Sequence, residues 1–338
     1  MLRPTPAPSV ERSKIRRVLE DRLTALARAH QVPGAQLAVH GDGMTLAVET
    51  GVLDAETGEP FTAEAAVPIG SVTKAYTATL VALLVADGDV ELDDPLGEHV
   101  PELRRAGPPC TVRQVLSHTA GLPSGPDSDQ VASVTAARYL LDHCTDRSLV
   151  MPPGTDFSYS NAGYVAAGRL IETVTGMSWQ EAMRSVLLDP LGTVPSFIGT
   201  AATPHRPTAR GHSANTATGR TRPVRQNLAP AEAAAGALRA SALDLVALGR
   251  AHLGDGPRGG RPMSSRRRCA APCPAPTPVC WPTAGAWDGR SSGTARRCGS
   301  GTTATPRALP ARCGPIPPRG WWSASPPTRA AAPSCGTN

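Results

Sequence analysis

IGSVTKAYTATLVALLVADGDVELDDPLGEHVPEL, residues 69–103, decides how the rest of the chain is read. From Ser71 to Asp87 no glycine or proline interrupts it, and Gly88 supplies a stop signal. After its first turn the run is apolar nearly all round, the pattern of a helix buried inside a domain. The chain has only two lysines, Lys14 and Lys74. Lys74 stands three residues after Ser71 at the start of this helix, and positions i and i+3 share a face. An amine held out of water can lose its proton and activate a serine as a nucleophile. The N–H groups and dipole at the helix N-terminus favour an oxyanion in the same place. Taken alone, Ser-x-x-Lys has a plainer meaning: a helix cap followed by a lysine whose head reaches water along the surface.

A second motif stands beside it. Tyr159-Ser160-Asn161 lies in PGTDFSYSNAGYVAAGRLIE (153–172), after a Pro-Gly turn and before a helical run. The tyrosine hydroxyl suits proton transfer between Ser71 and a leaving group. The Asn161 amide suits holding both Lys74 and a substrate carbonyl. The plainer alternative is a turn tyrosine and an N-cap asparagine, both common.

With both motifs in hand, the chain resembles the β-lactamase-related serine hydrolases, which include class C β-lactamases, D-alanyl-D-alanine carboxypeptidases and esterases. Residues 69–103, TVRQVLSHTAGLP (111–123) and AAAGALRASALDLVALGRAHLG (233–254) carry the resemblance beyond the motifs, over about residues 13 to 260. It implies an α/β (α+β) fold, with an antiparallel sheet flanked by helices plus a helical subdomain. It implies Ser71 as nucleophile, Lys74 as general base, Tyr159 as second proton carrier and Asn161 as a substrate-binding partner of the lysine. The Ser71 backbone N–H would be one oxyanion donor. His118 reads as a structural loop residue. The family's third motif, Lys-Thr-Gly or His-x-Gly on a strand lining the site, has no counterpart strand in the sequence.

Residues 1–10 read as disordered and 11–260 as the hydrolase domain, incomplete at its C-terminal end. Residues 11–30 have amphipathic helical spacing. AQLAVH (35–40) and MTLAVET (44–50) flank Gly41-Asp42-Gly43 and predict a hairpin; His40 reads as a strand-end residue beside that turn. Residues 162–175 and 179–188 predict two helices, the second capped by Ser178 and Glu181. Residues 199–230 read as a long irregular crossing. Residues 240–253 predict an amphipathic helix with Asp244 and Arg250 on its wet side.

The composition then breaks. Residues 1–255 carry 22 basic and 27 acidic side chains, whereas 256–338 carry 12 arginines against a single acid, Asp288. The later segment also holds six of the eight cysteines and four of the five tryptophans, with one valine, one leucine and one isoleucine beyond Met263. So few aliphatic residues cannot build a normal core. Arg, Pro, Ala, Gly, Cys, Ser and Trp without Lys or Glu is what GC-rich DNA yields out of frame.

Shifting the frame by one base lets Trp281–Gly289 encode Ala-Tyr-Gly-Trp-Gly-Leu-Gly-Trp. Ser300–Arg307 can encode Gly-His-Asp-Gly-Asp-Thr-Pro, and Gly320 onward Val-Val-Val-Ser-Val. These resemble, in family order, a site-lining strand, the absent His-x-Gly and the last strand. The reading therefore places a frame change near 260–269, makes 261–338 a disordered tail, and expects the chain to be impaired. An unpaired strand edge and an uncovered apolar face favour aggregation.

Three rival readings remain. The arginines could neutralise phosphates, but they are scattered, with no nucleic-acid-binding motif around them. Cys269, Cys273 and Cys280 could form a metal or disulfide module, but no paired C-x-x-C recurs. A non-catalytic binding protein on the same fold is disfavoured by four intact site residues. No H-E-x-x-H or P-loop pattern occurs, and no metal or organic cofactor is implied. No apolar run of 18 residues is present and the first ten residues lack a secretion-signal pattern, so the reading expects a cytoplasmic protein with no membrane or nucleic-acid partner. Its substrate would be a small acyl compound: an ester, an amide or a β-lactam.

Overall fold

Each predicted helix and strand before residue 199 is present, and the computed structural model adds the order in which they pack. It describes residues 8–104, 107–199, 206–215, 218–224 and 226–254. The expectations that fall on residues 255–338, namely the tail, the third motif and the last strands, lie outside the described residues.

Helix α1 (Pro8–Ala29) leads into a hairpin of β1 (Gly34–Gly41) and β2 (Met44–Gly51). The strands pair antiparallel, Gly41 opposite Met44. Asp42 and Gly43 both take positive φ, 50° and 70°, as a two-residue turn requires. Strand β3 (Val67–Pro68) and a 3₁₀ turn (Gly70–Val72) then open α2 (Thr73–Asp87). Gly88, at φ 87°, ends α2, its N–H reaching the Val85 carbonyl while Asp89 N–H reaches that of Leu84. This left-handed cap satisfies carbonyls that the helix itself leaves open.

Short helices α3 (Leu96–His99), α4 (Val112–Leu116) and α5 (Ala136–His143) pack against α6 (Asn161–Thr175), which in turn packs against α2. Helix α7 (Trp179–Ala182) carries the expected Ser178–Glu181 capping box and continues as a π turn, Met183–Leu188. The core is this helical block. Tyr76, Leu80, Leu170, Ile171, Trp179 and Met183 are all at most 2 % exposed.

Three expectations need correction. Residues 8–10, read as part of a disordered N-terminus, belong to α1, and residues 1–7 lie outside the described residues. Residues 199–230 contain a hairpin, β4 (Gly211–Asn215) with β5 (Arg220–Val224), rather than only an irregular crossing. Its strands are largely exposed, so no apolar alternation marks them. After α8 (Ala233–Gly236) and β6 (Arg239–Ala240), which pairs with β3, comes α9 (Ala242–His252). Asp244 is not on its wet side. Its carboxylate accepts the Ser241 N–H in a capping box and meets Arg206, whose side chain is 6 % exposed. Among the described residues the strands form three separate two-stranded ladders, and no helix is long and apolar enough to cross a membrane.

Candidate active site

Ser71 sits in the 3₁₀ turn that starts α2 and is exposed. Lys74, one turn on, is 3 % exposed, which rules out a lysine reaching along the surface to water. Its Nζ donates to Asn161 Oδ1 at 2.8 Å, to the Ala235 carbonyl at 2.9 Å and to Ser71 Oγ at 3.2 Å. An ammonium has three N–H groups and no acceptor. The two shorter contacts can only accept, so they hold two N–H groups in any charge state. When the third proton leaves, the lone pair points at Ser71.

Burial lowers the Lys74 pKa to about 8, and the negative charge of Glu232, itself 3 % exposed, pulls it partly back up. Ser128 Oγ donates to the Glu232 carboxylate.

Asn161 is the first residue of α6, which Ser160 caps by accepting Gly163 N–H at 2.8 Å. Ser160 Oγ donates to the Pro123 carbonyl at 2.6 Å, and Asn161 N–H to that of Ser124 at 3.0 Å. The N-cap is therefore Ser160, which leaves the Asn161 amide for Lys74. Tyr159 is 41 % exposed and presents its ring face to Lys74, the amine 5.0 Å from the ring centroid. Its hydroxyl has no hydrogen-bond partner among the described residues. Ser71, Lys74 and Asn161 are thus joined directly, while Tyr159 touches the cluster through its ring.

Sequence reasoning missed α8. Gly168 allows it to approach α6, since a β-carbon there would lie 2.6 Å from Ala234 Cβ. Thr77 Oγ1 donates to the Ala234 carbonyl at 2.8 Å and accepts from Trp179 Nε1 at 3.2 Å. Those contacts anchor the carbonyl next along, that of Ala235, over Lys74. The glycine at 168 was the only local signal. A cavity of about 430 Å³ lies elsewhere, between the β1–β2 hairpin, β3 and α9, and none of the four site residues lines it.

The fold is that of the β-lactamase family. The Beta-lactamase family profile matches residues 15–310, and the chain belongs to that family. It is 34 % identical over 253 residues to Penicillin-binding protein 4 of Amycolatopsis lactamdurans, covering 73 % of this chain and 66 % of that one. Among solved structures, SurE is 41 % identical with a TM-score of 0.63, covering 74 % of this chain and 55 % of that one, and it has also been solved with D-Leu. A class C β-lactamase superposes with a TM-score of 0.64 over 74 % of this chain and 68 % of that one; at 23 % identity the likeness speaks to fold alone. The chain spans between about half and two thirds of the length of these relatives.

Proposed function

We propose that this chain is a serine hydrolase that works through an acyl-enzyme, with Ser71 as nucleophile and Lys74 as general base. The observation that carries the reading is the buried amine with two of its N–H groups engaged and the third direction aimed at Ser71 Oγ, 3.2 Å away. Lys74 takes the Ser71 proton as Oγ attacks the acyl carbonyl. The Ser71 N–H, in the first turn of the helix, is one donor to the oxyanion that forms. Lys74 gives that proton up again, and Tyr159, with its hydroxyl available, passes it to the leaving group as the acyl bond breaks, which returns both residues to their starting state; Asn161 positions the substrate carbonyl. Water then releases the acid. General-base assistance of this kind is worth about 10²–10⁴-fold.

The substrate is an ester, an amide or a β-lactam. The relatives named a penicillin-binding protein and SurE, the latter solved with D-Leu, direct the assay towards substrates carrying D-amino acids. We further propose that residues near 260–269 mark a frame change and that the chain as written is impaired by loss of the third motif. The family match runs on to residue 310, and restoring the frame should raise the similarity over that stretch to the level of the preceding residues.

A fluorophosphonate probe tests the reading. In the frame-restored chain it should label Ser71, and Lys74→Ala should abolish labelling; labelling that survives the change removes Lys74 as base. Nitrocefin, p-nitrophenyl acetate and a D-alanyl peptide then rank the substrate classes, in this chain and in its frame-restored form. Equal turnover by the two would refute the impairment.

A further inference from the structure

We infer that His118, a residue outside the proposed catalytic set, is the positioning residue of the Tyr159 turn: it holds the tyrosine ring against the Lys74 amine. The inference rests on the roles given above to Ser71, Lys74 and Tyr159.

The backbone supplies the first observation. His118 lies at φ 60°, one of three described non-glycine residues with positive φ. For a residue with a β-carbon this left-handed conformation is disfavoured. Glycine would adopt it without that strain, as Gly121 does three residues on at φ 70°. A side chain at 118 is therefore kept against a local preference, and its contacts show what it does there.

Those contacts bracket Tyr159. The residue before it, Ser158, donates its N–H to the His118 carbonyl at 2.7 Å. The residue after it, Ser160, donates its N–H to His118 Nδ1 at 3.1 Å. Between the two bonds the imidazole lies against the Tyr159 ring, centroids 4.5 Å apart and planes 30° from parallel. On its other contacts the ring meets Tyr164 at 5.2 Å and the edge of Phe157 at 5.7 Å. The Tyr164 hydroxyl is fixed in turn by the Leu116 carbonyl at 3.0 Å. The Lys74 amine faces both tyrosine rings, at 5.0 and 5.6 Å. One imidazole thus sets the position of the ring that Lys74 sees and of the Tyr159–Ser160 peptide, one residue before Asn161.

Accepting at Nδ1 places the imidazole proton on Nε2 and requires a neutral ring. The groups facing it are Lys74 from α2, Tyr164 from α6, and Phe157 and Tyr159 from the turn. Burial, with Lys74 adding to it, lowers the His118 pKa to about 4. The ring therefore stays an acceptor wherever the site works.

The test uses the full chain with His118→Asn, which tolerates the left-handed backbone but loses the ring, and His118→Phe, which keeps a ring but loses the acceptor. Backbone amide exchange compares residues 157–161 with the rest of α6, 162–175. In the Asn variant the turn should exchange about tenfold faster while α6 is unchanged. Ser71 labelling should fall about tenfold with the half-saturating probe concentration unmoved, and adding Tyr159→Phe should cause no further loss. In the Phe variant the Ser160 amide should lose protection. Unchanged exchange in the turn, faster exchange spread through α6, or losses that add to those of Tyr159→Phe would each overturn the inference; so would a Phe variant indistinguishable from wild type. If the frame-restored chain does not label, or still labels after Lys74→Ala, the catalytic reading fails and the amide exchange alone decides the role of His118.

Discussion

The helical block and the β1–β2 hairpin show two ways of using apolar residues. Around α2, α6 and α7 the large side chains interlock, and Tyr76, Leu80, Leu170 and Met183 lose nearly all contact with water. In the hairpin only Val48 is buried, at 1 %, while Val39 and Met44 stay about half exposed. The roughly 430 Å³ cavity, lined by Phe61, Val67 and Leu245 among others, opens on the hairpin's side. Helices satisfy their backbone internally and need only side-chain cover. A strand needs a neighbour on each edge, and among the described residues β1 pairs with β2 alone. The proposed chemistry stands on the helical side, where burial is complete enough to lower a lysine's pKa to about 8.

The largest effect should come from that side. Lys74→Ala should abolish labelling of Ser71, a loss of at least about 10³-fold in the second-order rate with the probe. A rate that barely moves would mean that burial of the amine serves packing only.

Leu170→Ala should cost about 3 kcal/mol in a denaturant melt, as large-to-small changes in close-packed cores do. A much smaller loss would show the helical block to be looser than its burial indicates.

The pH dependence sharpens the same contrast. The Lys74 proton leaves near pH 8 because burial disfavours the charged form. The base is therefore present above that pH and lost as the pH falls. Labelling should rise about tenfold per pH unit below 8 and level off above it. Glu232 opposes the shift, so Glu232→Gln should move the rise to lower pH. A profile centred where an ordinary lysine titrates would refute the burial account.

The smallest effect belongs to the hairpin. Val39→Ala, at 47 % exposure, should change stability by no more than about 0.5 kcal/mol in the same melt. A loss rivalling that of Leu170→Ala would mean that the hairpin is covered in solution.

What was legible in the sequence was local. Gly88, the Ser178–Glu181 capping box and the turn expected at Gly41-Asp42-Gly43 each depend on residues within a few positions of one another; the first two are where they were expected, and the turn narrows to Asp42-Gly43. The Ser71–Lys74 pair is local in the same sense. The β4–β5 hairpin was missed because its strands cover nothing and so carry no apolar period. Asp244 was misplaced because its partner Arg206 lies 38 residues away. His118 passed for a plain loop residue, since its contacts with the Tyr159 turn span about 40 positions.

The sequence by itself determined a buried helix with a serine and a lysine on one face, because helical spacing is set by the backbone alone. Only the tertiary structure decided what that lysine is. Its other partners, the Asn161 amide and the Ala235 carbonyl, come from 87 and 161 residues along the chain. The loss of water that lowers its pKa is the work of every element packed around it, and no spacing in the sequence encodes that sum.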